Sequence, residues 1–229
     1  MLSAIAIVPS APVMVPELAS SAASETEDMR AAAVSAAAAL PTRWVAVGVA
    51  AADAVHGSDS AGTFAGYGVD IGVGLSPEAL GDPTDLPLCA LITGWLRGVA
   101  QPHAVAQVHT YRSDHTADEA VEFGRQLRAQ IDAEGDDVGV LVVADGANTL
   151  TPPAPGGYDP DSVAVQAALD DALSRGDTAT LTSSGDAAVG RVAYQVLAGL
   201  AGTGRPGSAE ELYRGAPYGV GYFVGVWTP

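Results

Sequence analysis

The sequence predicts a three-layer α/β sandwich, in which a central, mainly parallel β-sheet is flanked by helices and one domain spans residues 1–229. Three observations predict it. Short β-branched runs alternate with capped helical stretches from end to end. One run, Val138–Val143 (VGVLVV), is apolar at every position, as a strand covered on both faces must be. No linker, internal repeat or low-complexity tail interrupts the pattern.

Residues 4–8 (AIAIV) read as a first strand, ended by Pro9. Residues 24–40 read as a helix, with Ser24 and Glu27 at capping-box spacing and Pro41 beyond its end. Residues 44–49 (WVAVGV) give a second strand. Residues 50–81, rich in Gly, Ser and Asp, predict an outward loop with one strand near 69–73. Helical periodicity over 86–100 is followed by a strand at 104–109, and Thr116 with Glu119 opens a helix reaching about 133. Asp159 and Pro160 start a helix to 173. The Ser183-Ser184-Gly185-Asp186 run reads as the N-cap of a helix over 186–200, and residues 218–226 as a last, aromatic strand.

Composition excludes several functions. All ten basic residues are Arg, so Schiff-base chemistry and a P-loop lysine are impossible. A formal net charge of -17 with no basic patch argues against nucleic-acid binding. No uninterrupted apolar stretch is long enough to cross a membrane. The apolar start lacks a basic residue and is broken by Pro9, Pro12 and Pro16, so it does not read as a signal peptide, and a cytoplasmic location is expected. Cys89 is the single cysteine and lies in an apolar run, which implies a buried, inert thiol.

Four stretches resemble the B-subunit (LigB-like) superfamily of class III extradiol ring-cleavage dioxygenases, including its Memo-like branch. They are Val8-Pro9-Ser10-Ala11-Pro12-Val13-Met14-Val15-Pro16-Glu17-Leu18, then Gly62-Thr63-Phe64-Ala65-Gly66-Tyr67-Gly68, the long run Ala144-Asp145-Gly146-Ala147-Asn148-Thr149-Leu150-Thr151-Pro152-Pro153-Ala154-Pro155-Gly156-Gly157-Tyr158-Asp159-Pro160, and Ala216-Pro217-Tyr218-Gly219-Val220-Gly221-Tyr222-Phe223-Val224. The third is similar to the family's Gly-Asp-Leu-Ser-His-x-Leu-Thr-Pro-x-Ala-Pro-x-Gly-Tyr-x-Pro.

The resemblance implies an Fe(II) site in which two His and one carboxylate leave positions open for substrate and oxygen, with a further His as acid/base. The matched positions have lost every such group. Ser10 replaces the first His, Ala50 stands at the corner of the second, Asn148 replaces the acid/base His, and Ala188 falls where the carboxylate belongs. Ser and Asn oxygens bind Fe(II) feebly and Ala binds nothing, so no cofactor is expected. Asp145 persists from the motif and is expected to bond to Asn148 or cap the next turn.

Could other residues rebuild a metal site? His56 precedes a Gly six residues late and is the candidate relocated ligand, although a surface His in a polar loop is the plainer reading. His109 is expected to close a strand, His115 to precede a cap and His103 to lie in a turn, and no pair has metal-ligand spacing. Ser10, Asp145, Asn148 and Tyr158 are expected to converge at the carboxyl ends of the strands. They either satisfy one another or line a residual pocket.

The expectation is therefore a degenerate family member that binds a small molecule or a protein partner without catalysis. The alternative is an enzyme, either a dioxygenase with relocated ligands or a metal-free activity using Asp145 and Tyr158. A homodimer through an exposed aromatic closing strand is also expected.

Overall fold

The computed structural model describes residues 1–79, 81–183 and 185–229, with the backbone alone at Ser21. In chain order the elements are β1 (Leu2–Val8), α1 (Pro16–Ala19), α2 (Glu27–Ala38), β2 (Arg43–Val49), β3 (Ala54–His56), β4 (Ala61–Thr63) and β5 (Gly72–Gly74). They continue with α3 (Leu88–Ala100), β6 (Val105–Tyr111), α4 (Ala117–Glu134), β7 (Val138–Val143), α5 (Asp161–Arg175), α6 (Thr178–Thr182), α7 (Arg191–Ala201), β8 (Ser208–Gly215) and β9 (Tyr222–Thr228).

Seven strands form the main sheet in the order β3-β6-β2-β7-β1-β9-β8, and β4 and β5 make a separate hairpin. The four inner neighbours β6, β2, β7 and β1 are parallel, whereas β3, β9 and β8 join antiparallel. All six residues of β7 are buried, and the strand lies at the middle of the sheet.

Side-chain alternation along the strands separates two cores. Ala6, Val8, Trp44, Ala46, Val108, Leu141, Val143 and Val224 face one side, where α2 and α3 cover them. Ile5, Ile7, Val47, Val140, Val142, Phe223 and Trp227 face the other, beneath α4, α5 and α7. The fold is thus a mixed α/β three-layer sandwich with a mainly parallel central sheet. Among the described residues, no helix is long and apolar enough to cross a membrane.

The sequence expectations fail in four places, each for a local reason. Helix α2 starts at Glu27 rather than Ser24, because residues 20–23 form a 3-10 turn. The Thr26 hydroxyl donates to the Val13 and Ala22 carbonyls, and Arg30 donates to those of Met14 and Ala23, so the entry is held by donors to carbonyls and not by a capping box. The loop at 50–81, in which Leu80 lies outside the described residues, carries three short strands instead of one.

The last long helix begins at Arg191, not Asp186. The Val189 and Gly190 N–H groups are spent on the carbonyls of Gly146 and Asp145, which keeps this segment in turns and out of the helix. Asp186 pairs with Arg191 at 3.0 Å, and Ser184 of the expected cap lies outside the described residues. Finally, β8 was hidden by its polar sequence, and it covers β9. Tyr222, Phe223, Val224 and Trp227 are all buried, so an exposed aromatic closing strand, the basis of the expected dimer, does not exist.

The tightest junction in the helical layers joins α4 to α7. A Cβ at Gly199 would lie 2.0 Å from the Val121 carbonyl oxygen, and one at Gly124 would lie 2.1 Å from that of Val196. Backbone cannot move aside as a side chain can. Gly199→Ala should therefore destabilise the chain by at least ~2 kcal/mol, read as a lower urea midpoint. In contrast Gly98→Ala, on an exposed part of α3 where nothing lies within 4 Å, should stabilise by roughly 0.5–1 kcal/mol.

Candidate functional site

The carboxyl ends of the parallel strands meet at one edge of the sheet. Crossovers β1–α2–β2 and β2–α3–β6 run over one face, and β6–α4–β7 returns over the other. Such a reversal leaves a crevice beyond the strand ends, where open α/β sheets take their ligands.

Val8, Val143 and Gly48 are adjacent in register, so Ser10, Asp145 and Ala50 follow the ends of three neighbouring strands. The Ser10 N–H donates to Asp145 Oδ1 at 2.7 Å. The bond expected between Asp145 and Asn148 is not made. Instead the Asn148 carbonyl accepts from Gly156 N–H at 2.9 Å, and its side chain lies against Gly156 in the proline-rich loop.

Residues 144–147 are held from both sides. The Ala144 carbonyl accepts the buried Tyr194 hydroxyl at 3.0 Å. Asp145 O accepts Gly190 N–H, Gly146 N–H donates to Gly221 O, and Gly221 N–H donates to Ala147 O, each at 2.8 Å. Ala188 forms an antiparallel bridge with Ala147. The Ala147 N–H donates to Gln166 Oε1 at 2.7 Å, and Gln166 Nε2 donates to Asp170 Oδ1 at 2.8 Å. Sequence reasoning missed Gln166, Tyr194 and Tyr222. The one available signal was a Gln at a core-facing position of an otherwise Ala- and Val-rich helix.

The structure therefore gathers Ser10, Ala50, Asp145 and Ala188 at one edge and leaves Tyr158 out. Tyr158 is 54% exposed and makes no hydrogen bond or ring contact with them. This corrects the expected convergence: the glycines at 156 and 157 turn the loop outward before Tyr158 is reached.

Electrostatics mark out Asp145. Protein atoms crowd its carboxyl, although part of the residue still reaches solvent, and burial raises its pKa to about 7 against the opposing effect of the Ser10 bond. The phenols of Tyr194 and Tyr222 are pushed up by burial and by the charge of Asp145. Cys89 is buried beneath Gly48, and its thiol is raised to about 12, which keeps it inert.

The histidines are dispersed. His115 pairs with Asp53 at 2.8 Å and packs its ring edge on Phe123. His109 lies within β6, two residues before the strand ends, and meets Gln107. His103 is exposed in a turn. His56, expected in a loop, ends β3 opposite Val108, and burial lowers its pKa. It lines a cleft of about 370 Å³ with Ala50 and Asp85.

As a cage for Fe(II), the side chains of Ser10, Ala50, Asn148 and Ala188 do not fit: they supply no imidazole and no carboxylate. Among the described residues, no three His, Cys, Asp or Glu are grouped to hold a metal ion.

No family model and no curated protein matches the chain. Its fold is similar to that of a solved structure, an uncharacterized protein, JW3007, from Escherichia coli K12. The two share 11% identity with a TM-score of 0.56, over 98% of this chain and 99% of the other. At that identity the likeness shows the fold alone.

Asp145 gives a test of this geometry. A carboxyl with a folded pKa near 7 binds its proton more tightly folded than unfolded. Its contribution to stability is complete below the unfolded pKa of 3.8 and is lost as pH rises towards 7, at up to about 1.4 kcal/mol per unit. Asp145→Asn retains an acceptor for Ser10 and removes the titration. Its stability relative to wild type, from urea unfolding between pH 4 and 8, should rise through this window and level off above 7. A flat difference would show that the carboxyl is solvated.

Proposed function

We propose that the chain is an iron-free member of the class III extradiol dioxygenase-like superfamily that binds a small molecule at the carboxyl ends of its parallel strands without ring cleavage. The observation that carries this reading is the placing of Ser10, Ala50 and Ala188 around Asp145 at one sheet edge. The positions matched to the family's metal ligands are thus neighbours in space while carrying no ligating group. The sequence resemblance supplies the family half of the proposal, and the three-layer fold is compatible with it. Fold alone does not choose a function.

A carboxyl whose pKa is raised to about 7, beside backbone amides, suits recognition of a small polar ligand, because it can donate a hydrogen bond below that pH and accept one above it. Ala50 opens onto the cleft that carries His56, whereas Ala188 is buried against Ala147. A second reading rests on His56, which shares a cleft with Ala50. In that case His56 is a relocated ligand of an active dioxygenase. The metal-free enzyme using Asp145 and Tyr158 is disfavoured by the solvent-facing Tyr158.

Metal analysis and oxygen uptake separate these readings. After anaerobic loading with Fe(II) and desalting, the chain should retain far less than one iron per molecule and show no catechol-dependent oxygen consumption. Stoichiometric iron, or uptake that His56→Ala abolishes, would overturn the proposal in favour of the second reading.

A further inference from the structure

On the α3 side of the sheet edge, two clefts meet at Asp85 and Pro87. The first, of about 370 Å³, is walled by Ala50, Ala52, Ala54 and Pro87 and carries His56. The second, of about 650 Å³, is lined by Tyr67, Leu86 and Leu91. The first cleft is mostly apolar, whereas the wall of the second is divided evenly between polar and apolar atoms, and three of the hydroxyls along them are already engaged. Thr110 already donates to Ala52 O, Thr84 to Ala61 O and Thr63 to Asp70.

Asp85 is exposed at the junction, and among the described residues no Arg pairs with it. Between Arg43 and Arg97 the chain holds six acids (Asp53, Asp59, Asp70, Glu78, Asp82 and Asp85) and no basic residue other than His56. Arg97 lies nine residues along α3 from its start, roughly 14 Å away along the axis, and donates to the carbonyls of Gly74 and Pro102. Arg112, at the end of β6, is held by both oxygens of Asp114. The Asp85 charge therefore has no internal counter-ion.

Tyr67 stands beside it. The phenol is raised chiefly by burial, and its ring packs edge-on with buried Phe64, centroids 6.1 Å apart. An aromatic ring lining the same cleft as an unpaired carboxylate is the chemistry that recognises an ammonium group. The positive end of α3 opposes a cation here, but it amounts to about half a charge against the full charge of Asp85.

We propose that this paired cleft binds a small organic ammonium ion with an apolar body, its ammonium held by Asp85 against the Tyr67 ring and its body lying on Ala50, Ala54 and Pro87. The inference goes beyond the iron-free reading and does not depend on the family of the chain.

The test is a titration of the full chain at low ionic strength, by calorimetry and by backbone amide NMR, with 2-phenylethylammonium, its neutral isostere 2-phenylethanol and the anion phenylacetate. The ammonium should bind saturably in the millimolar range and shift amides in 50–56 and 63–91. The alcohol should bind several-fold more weakly and phenylacetate not at all.

Asp85→Asn should weaken ammonium binding by roughly 5-fold and Tyr67→Leu by roughly 3-fold. Both residues are exposed enough for the fold to survive, which the unchanged remainder of the spectrum checks. Equal affinity for the ammonium and the alcohol, binding of phenylacetate, no saturable binding, or no loss in Asp85→Asn would each overturn the proposal. None of these readouts uses iron or oxygen, so failure here leaves the family reading intact, and the reverse also holds.

Discussion

Gln166 occupies the one position from which the sheet edge can be organised. It projects from α5 into a slot between Gly146 and Gly221, where a Cβ on either glycine would lie only 2.1 Å or 2.2 Å from its amide. From there it accepts the Ala147 N–H and passes a hydrogen bond to Asp170. A buried amide leaves no slack: each of its polar atoms must be matched or the structure pays the desolvation of that group. The backbone of 144–147 is thereby fixed against 188–190 and 219–221, and Asp145 is delivered to Ser10. Because Gly146 and Gly221 both press on the same side chain, neither strand end can shift without unpairing the other.

The same edge has a divided electrical character. On the side of α5 and α7, Asp145 and Asp170 are raised by burial to about 7 and about 6, the latter against the opposing charge of Arg214. On the side of α3, Asp85 is exposed, and among the described residues no Arg pairs with it. A chain with net charge -17 thus offers, along one sheet edge, a buried carboxyl whose pKa is raised and an exposed one without an Arg partner. Ligands with different charges would distinguish the two sides.

Legibility in the sequence followed physical scale. The parallel strands and long helices could be read because each is decided by its own residues. The six apolar positions of β7 and the Thr116–Glu119 box, which forms as expected, depend on nothing distant. Elements decided by partners could not be read. The segment 186–190 looks helical but is held in turns by carbonyls of residues 145 and 146, more than forty positions away. Strand β8 has a polar pattern and exists because β9 offers it a ladder. For the site, motif matching located Ser10, Ala50, Asp145 and Ala188 but placed Tyr158 inward. The outward turn of that loop is a backbone property of Gly156 and Gly157, and a residue-type match does not encode it. Gln166 carried no motif at all.

The outer strands have a consequence for how copies of the chain behave together. An uncovered strand offers a row of open amides and carbonyls on which another chain can template itself. Here one margin is β3, only three residues long. The other is β8, where Glu210, Glu211 and Arg214 project and the ladder slips between Glu211 and Tyr213. A brief rim at one end and a charged, irregular one at the other give an incoming strand little to extend, so the aromatic β9 is shielded from polymerising contact even in a crowded solution.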